Sequence, residues 1–234
     1  MPAAADVETL RVVSFNIAFA KHVDGAIALL ESDSSLRRAD VLLLQEMDGP
    51  STERVARALG LWYVYYPAIF HTRTKRDFGN AVLSRWPIVD DAKLVLPHMS
   101  RYAGTQRIAT IATVRVGNVP VRVYSTHLST IADVGAAARR DQLRAIVADA
   151  AAHPHVIIGG DLNSGDVGRV ARDAGYAWPT EEGPNTTRFG RWDHIFFKGF
   201  GIPDSAAAGT VLDAQGTSDH RPVWARGRLV RRRD

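Results

Sequence analysis

Val41-Leu42-Leu43-Leu44-Gln45-Glu46 is four apolar residues in succession, closed by an amide and a carboxylate. A half-buried strand alternates apolar with polar residues, whereas an unbroken apolar run fits a strand covered on both faces. Two other stretches read as buried strands that also close on polar residues. Residues 10–15 are apolar and β-branched and stop at Asn16, and residues 156–158 stop at Gly159-Gly160-Asp161. Outward from these runs, residues 107–116 alternate, with Ile108, Thr110, Ala112 and Val114 on one face and Ala109 and Ile111 on the other. Gly117-Asn118 is a two-residue hairpin signal, and residues 119–126 return as the partner strand. Further strands are expected at 62–66, 80–84, 192–197 and 222–226.

Helical patterns lie between these strands. One starts after Asp24 with Ala26, Ile27 and Leu30 inward. A second is capped by Ser51, carries Val55, Ala58 and Leu59 and is closed by Gly60. Residues 133–151, rich in alanine and arginine, form the clearest helix, and Arg139, Arg140 and Arg144 read as its wet face. A short helix at 167–174 stops at Gly175. The pattern predicts an α/β fold of mixed, largely antiparallel strands, in which two sheets packed face to face with outer helices bury the continuous runs. No linker, repeat or low-complexity tract interrupts it. One domain is expected over 1–234, with a core from about 10 to 227 and a basic tail at 228–234.

Apolar residues make up 46% of the 234, enough for a sizeable core. With no cysteine, thiolate metal sites, disulfides and cysteine nucleophiles are excluded. The first residues, Met1-Pro2-Ala3-Ala4-Ala5-Asp6, lack a basic start and an apolar run, so a soluble, cytoplasmic protein without a signal peptide or transmembrane segment is expected. The net charge of +4 leans mildly toward polyanionic partners. Trp62 and Trp178 read as core residues.

The polar residues of interest share a position, since Asn16, Glu46, His127, Asp161 with Asn163, Asp193, and Asp219 with His220 all fall at strand ends. Singly, each is explained by a turn or a helix cap. Together, strands converging at one edge would form a pocket of hard oxygen ligands and imidazoles, which suits Mg²⁺ or Mn²⁺ rather than zinc.

These residues lie within Ser14-Phe15-Asn16, Leu44-Gln45-Glu46, Gly79-Asn80-Ala81-Val82-Leu83-Ser84-Arg85, Ser125-Thr126-His127-Leu128, Gly160-Asp161-Leu162-Asn163, Trp192-Asp193-His194-Ile195-Phe196 and Ser218-Asp219-His220-Arg221-Pro222-Val223. In that order the seven motifs resemble the endonuclease/exonuclease/phosphatase superfamily, from Ser14 to Val223. The resemblance implies a four-layer α/β sandwich and a Mg²⁺-dependent phosphoester hydrolase, with Mn²⁺ as substitute. It implies Glu46 as the main metal ligand, Asp219 as a second carboxylate near the metal, and Asn16 bridging metal and phosphate. Asp161 and Asn163 would orient the attacking water and hold phosphate oxygens. His220 would be the catalytic imidazole, as imidazolium or as base, with Asp193 orienting it. His194, turned away by strand alternation, is read as structural. His127 resembles the second histidine of the deoxyribonuclease, sphingomyelinase and deadenylase branches, against the apurinic-site endonuclease branch. Arg107 would lie near the substrate phosphate or in a strand-edge salt bridge, and Asn80 would contact substrate or serve as a structural amide.

The substrate expected first is DNA or RNA, from the basic balance and from the stretch Phe70-His71-Thr72-Arg73-Thr74-Lys75-Arg76-Asp77-Phe78, whose cations and aromatic ends suit nucleic acid if it loops over the pocket. A phospholipid headgroup or an inositol phosphate is the alternative within the same fold. An inactive binding module of the same fold is a third reading, opposed by the intact set of acids, amides and histidines.

Overall fold

The computed structural model describes residues 8–72, 75–101, 104–203 and 207–229. Arg73 and Thr74, the first seven residues and the tail from 230 lie outside the described residues. One sheet contains β1 (Glu8–Asn16), β2 (Val41–Met47), β3 (Trp62–His71), β4 (Arg76–Ser84), β10 (Phe200–Gly201), β11 (Ala208–Thr210) and β12 (Val223–Leu229). Its order is β10-β12-β1-β2-β4-β3, with β11 also paired to β12. The second sheet contains β5 (Ile88–Val95), β6 (Ile108–Val116), β7 (Val119–His127), β8 (Val156–Asp161) and β9 (Asp193–Lys198), in chain order. The pairs β1/β2 and β7/β8 are parallel and every other named pairing is antiparallel.

The unbroken apolar runs are explained by four layers. Leu10, Val12, Val41 and Leu43 of the first sheet face Val114, Val123, Ile157 and Phe197 of the second. Their neighbours point the other way. Val13, Phe15, Leu42 and Leu44 pack against α1 (Val23–Ser32) and α2 (Gly49–Leu59). Ile111, Tyr124, Ile158 and Phe196 pack with Leu143 and Ile146 of α3 (Ala136–Asp149) and Ala171 of α4 (Arg169–Asp173). Leu and Val at successive positions are therefore all buried, each face in a different core. Gly159 permits the sheets to approach, because a Cβ there would sit 2.6 Å from Leu43 Cδ1. At the site end, polar ties replace apolar packing. Gln45 Nε2 donates to Ser125 Oγ (3.1 Å) and Asn80 Nδ2 to the Ile108 carbonyl (3.1 Å).

Several local expectations need correction. The first helix, α1, begins at Val23 rather than after Asp24, and Leu29 joins Ala26 and Leu30 in the core with Ile27 packed against it. Asp48, not Ser51, caps α2: its carboxylate accepts the Ser51 N–H at 2.7 Å, and Ala58 is exposed. The long helix starts at Ala136, because the Asp133 carboxylate is taken by the Ser100 and Thr130 hydroxyls in the preceding turn. Arg139 is buried rather than on a wet face, its Nη1 reaching the Val134 carbonyl. Trp62 is 57% exposed, at the start of an edge strand, whereas Trp178 is buried. Much of the stretch 70–78 is strand, since β3 runs to His71 and β4 begins at Arg76. Among the described residues, no helix is long and apolar enough to cross a membrane.

Candidate active site

Strand register builds the site. His127, Asp161 and Asp193 are neighbours in one row across β7, β8 and β9. Gly160 makes this row possible, because at its φ of 145° a Cβ would fall 1.8 Å from the Thr126 carbonyl oxygen. In the other sheet Asn16 pairs with Gln45, and Gln45 with Asn80. Glu46 has no partner in this row. It is the extra residue of a bulge between Gln45 and Met47, with φ at 59°. Leu42, Leu44 and Met47 all face the helices, so the bulge releases Glu46 from that face and turns it to the strand end. A left-handed non-glycine residue costs about 1–3 kcal/mol.

Asp161 is the hub. Its Oδ2 accepts Asn16 Nδ2 at 3.1 Å and lies 3.3 Å from His127 Nε2 and 3.6 Å from His220 Nε2, while Oδ1 accepts the Asn163 N–H at 2.8 Å. His220 Nδ1 is 2.9 Å from Asp193 Oδ2. The loop carrying His220 is fastened by Ser218, whose hydroxyl donates to the Asn16 carbonyl (2.6 Å) and accepts the His220 N–H (3.0 Å). Glu46 Oε1 accepts Asn16 Nδ2 (3.1 Å) and Oε2 accepts the Phe19 N–H (3.0 Å). Asp219 is exposed and shares with Glu46 a cavity of about 440 Å³, lined also by Phe19, Lys21 and Ser218.

The two histidines differ in charge. Burial, with the Arg107 and His220 charges, holds His127 well below the usual histidine range, so it is neutral. Burial would lower His220 too, but the charge and hydrogen bond of Asp193, with Asp161 and Asp219 nearby, outweigh it and push His220 up to about 10. Burial and the Asp193 charge raise Asp161 to about 7. Burial also raises Glu46, which the Asn16 hydrogen bond only partly offsets.

Two clusters could attract a cation. Asp161, Asp193 and His220 place donor atoms within 4.8 Å of one another, but a protonated His220 already binds both carboxylates there. Glu46 is the better fit. Among the described residues its carboxylate meets only neutral His127 at 4.0 Å as an ion-pair partner, and its oxygens face the cavity shared with Asp219. A largely covered carboxylate that forms no ion pair with lysine or arginine among the described residues, beside a second carboxylate, matches a hard divalent ion.

Some expected roles fare differently. Asn16 turns its N–H groups to Glu46 and Asp161 and so ties two carboxylates, while its Oδ1 accepts the Ala18 N–H at 3.1 Å and keeps a second lone pair. Asn163 Nδ2 is held by the Leu128 carbonyl (2.9 Å), which anchors the Asx-turn after Asp161. Asn80 is an inter-sheet tie, buried between β4 and β6, rather than a group facing substrate. Arg107 is buried and, among the described residues, forms no ion pair. Its Nη1 has no hydrogen-bond partner, and its guanidinium lies 5.8 Å over the Phe78 ring. His194 accepts the Trp178 indole N–H (3.2 Å) and faces the Arg191 carbonyl, away from the site.

Sequence reasoning singled out His71 and Phe78 but missed Phe19, which joins them in an aromatic wall. Phe19 lies 5.1 Å from Phe78 and 5.3 Å from His71, and Phe78 lies 5.8 Å from His127. Lys21 sits 5.1 Å over Phe19. Phe19 belongs to a left-handed turn, Ala18-Phe19-Ala20, with φ of 39°, 62° and 50°. No glycine marks that turn, so nothing in the sequence announced it.

Two packed sheets between helices, with acids, amides and histidines meeting at one strand edge, define an α/β sandwich with its polar site at the strand ends. The sequence profile of the Endonuclease/Exonuclease/phosphatase family matches residues 13–220, and the chain belongs to that family. Its members hydrolyse phosphoester bonds and typically use divalent metals. Solved structures share the fold. An endonuclease/exonuclease/phosphatase from Beutenbergia cavernae DSM 12333 is 23% identical, with a TM-score of 0.73 over 94% of this chain and 72% of that one. Sphingomyelinase C from Streptomyces griseocarneus is 19% identical, with a TM-score of 0.71 over 94% of this chain and 99% of that one. The human Nocturnin catalytic domain, with bound sulfate, is 18% identical, with a TM-score of 0.68 over 94% of this chain and 97% of that one. No curated protein matches the chain in sequence.

Proposed function

We propose that the protein is a Mg²⁺-dependent phosphodiesterase acting on nucleic acid. The observation that carries the chemistry is the hub at Asp161, with a neutral and a cationic histidine on one carboxylate oxygen, beside the cation-poor Glu46. Asp161, raised to about 7, orients a water and takes its proton as the water oxygen attacks phosphorus in line. The phosphorus–oxygen bond to the leaving group breaks. His220 as imidazolium, the free Nη1 of Arg107 and the neutral His127 surround the charge that develops. Glu46 with Asp219 would hold the divalent ion, which neutralises phosphate and leaving-oxygen charge when bound.

The substrate follows from the wall. Phe19, half-buried at the cavity, offers a ring face for stacking with Lys21 over it, and the buried Phe78 behind it carries Arg107. That pairing suits an anionic chain bearing bases. It opposes a quaternary ammonium headgroup, whose charge would meet two cations where it seeks a ring face. A second reading is favoured by five exposed side chains near the same edge. Phe70, Met99, Ile131, Phe189 and Leu212 are each more than half exposed and lie on strand tips or loops that join strands at the site end. Such a rim suits an amphiphilic phosphoester presented at an interface.

The test uses Asp161→Asn as an inactive trap. Fluorescence anisotropy is expected to show binding of a single-stranded oligonucleotide that weakens with salt, each phosphate contact adding about 0.7 to the slope of log affinity. Neutralising Lys75 and Arg76 together with Arg73 should flatten that slope. Turnover of a small nitrophenyl diester by the active protein should be nearly unchanged by the same replacements. Cleavage of vesicle phospholipid with no cleavage of DNA or RNA would replace the first reading by the second.

A further inference from the structure

Four arginines meet at the end of the first sheet remote from Glu46 and Asp161. Arg226 is the register partner of Arg11 across β12 and β1. The Asp40 N–H donates to the Arg11 carbonyl, and the Arg85 N–H to the Asp40 carbonyl. Arg226, Arg11, Asp40 and Arg85 thus form a row across four adjacent strand positions. Arg38 joins from the turn before β2, its backbone held at a φ of 60°. With Thr9 these residues line an open cavity of about 470 Å³. Asn16 is five residues along β1 from Arg11, about 17 Å at the rise of a strand, so the cavity is separate from the active site.

Counter-charge is scarce in this cavity. Asp40 is buried and already engaged, its Oδ2 accepting the Arg11 backbone N–H (2.7 Å) and its Oδ1 facing Arg85 Nη1 at 3.2 Å. The Arg11 guanidinium donates to the carbonyls of Ser34 (3.2 Å) and Arg37 (2.7 Å) and forms no ion pair among the described residues. Arg226 rests 5.4 Å over the Trp224 ring and Arg38 is exposed; neither has a carboxylate partner among the described residues. Four cations therefore line the cavity with one carboxylate, and Glu8, near enough to raise Asp40, lies outside the lining. Partial burial and the neighbouring charge of Arg226 lower the pKa of Arg11, as expected where cations crowd one another.

A fold gains nothing from such crowding, but an anion does. Guanidinium forks arriving from different strands match a tetrahedral oxyanion, which accepts in several directions, better than a planar carboxylate. We propose that this arginine cavity is a second binding site, for a phosphate-bearing anion, distinct from the catalytic centre. The phosphate is either that of a small phosphorylated molecule or one in a nucleic-acid backbone.

The test is calorimetric titration of the full chain in chelator with inorganic pyrophosphate, and in parallel with a single-stranded oligonucleotide. Pyrophosphate is expected to bind the parent. Arg38→Gln and Arg226→Gln should each weaken it about tenfold, the scale of one charge-assisted contact, and the double variant more. Arg107→Gln, in the active site, should leave this binding in place. Without ligand, the two outer variants should unfold at the same or a higher temperature than the parent, because repulsion is relieved; this separates a lost site from a damaged fold. Loss of pyrophosphate and oligonucleotide binding together assigns backbone phosphates, and loss of pyrophosphate alone assigns a small ligand; both support the site. No pyrophosphate binding by the parent, unchanged binding in the double variant, or loss on Arg107→Gln instead would overturn it.

Discussion

Removing divalent cations is expected to silence the enzyme, and Glu46→Ala to lower its turnover by about 10³-fold at ordinary cation concentrations, on the scale of a lost electrostatic stabiliser of the transition state. The bulge in β2 exists at a cost in backbone strain, and it delivers this one carboxylate to the strand end. Burial raises the Glu46 pKa, and Asn16 and the Phe19 N–H are neutral donors that do not cancel the charge. An acid whose pKa is raised on folding destabilises the folded state as pH climbs above its unfolded value near 4.5, and the loss is complete above the raised value. In chelator at alkaline pH, Glu46→Gln should therefore unfold at the same temperature as the parent or higher. Adding Mg²⁺ should raise the unfolding temperature of the parent and leave that of the variant nearly unmoved. Full activity of Glu46→Ala in chelator would remove both the metal and this carboxylate from the mechanism.

What the sequence made legible was periodicity and strand ends. The runs at 41–44 and 156–158 are buried on both faces, as unalternating apolar residues require, and Gly117-Asn118 joins β6 to β7. Polar residues at the strand ends converge because parallel neighbours end at the same edge and antiparallel ones start there. Asn16, Glu46, His127, Asp161, Asp193 and His220 meet for that reason, Asn16 bonding to Asp161 across 145 residues and to Ser218 of the His220 loop across 202. Departures from periodicity were not legible. The bulge at Glu46 and the left-handed turn at Ala18–Ala20 carry no glycine, so their positive φ values arise from tertiary contacts such as the Phe19 N–H bond to Glu46. Nor does sequence say which way an amide turns. The motif resemblance implies Asn16 near the metal, but only tertiary contacts turn its N–H groups to two carboxylates. Arginine on an alanine-rich helix usually faces solvent, yet the turn before α3 folds back and offers Arg139 the Val134 carbonyl.

His220→Ala is expected to lower turnover by about 10³-fold, and Asp193→Ala by a comparable factor, within the usual range for a proton-bearing catalytic group. The double variant should be little worse than His220→Ala alone, rather than 10⁶-fold down, because the two residues act as one unit. Asp193 is fully buried, its Oδ2 is 2.9 Å from His220 Nδ1, and its Oδ1 has no hydrogen-bond partner among the described residues. The carboxylate is thus committed to the imidazolium. A histidine whose pKa is raised from 6.5 to about 10 contributes stability that is fully present below pH 6.5 and lost as pH rises through about 10. Activity that needs the imidazolium should share that alkaline limit. Asp193→Asn keeps the shape and removes the charge, so it should bring the alkaline limb of the pH–rate profile down toward that of an ordinary histidine. A merely structural Asp193 would lower the rate at every pH and leave the limb where it was. Multiplying effects in the double variant, with an unmoved limb in Asp193→Asn, would break the pairing on which His220's role rests.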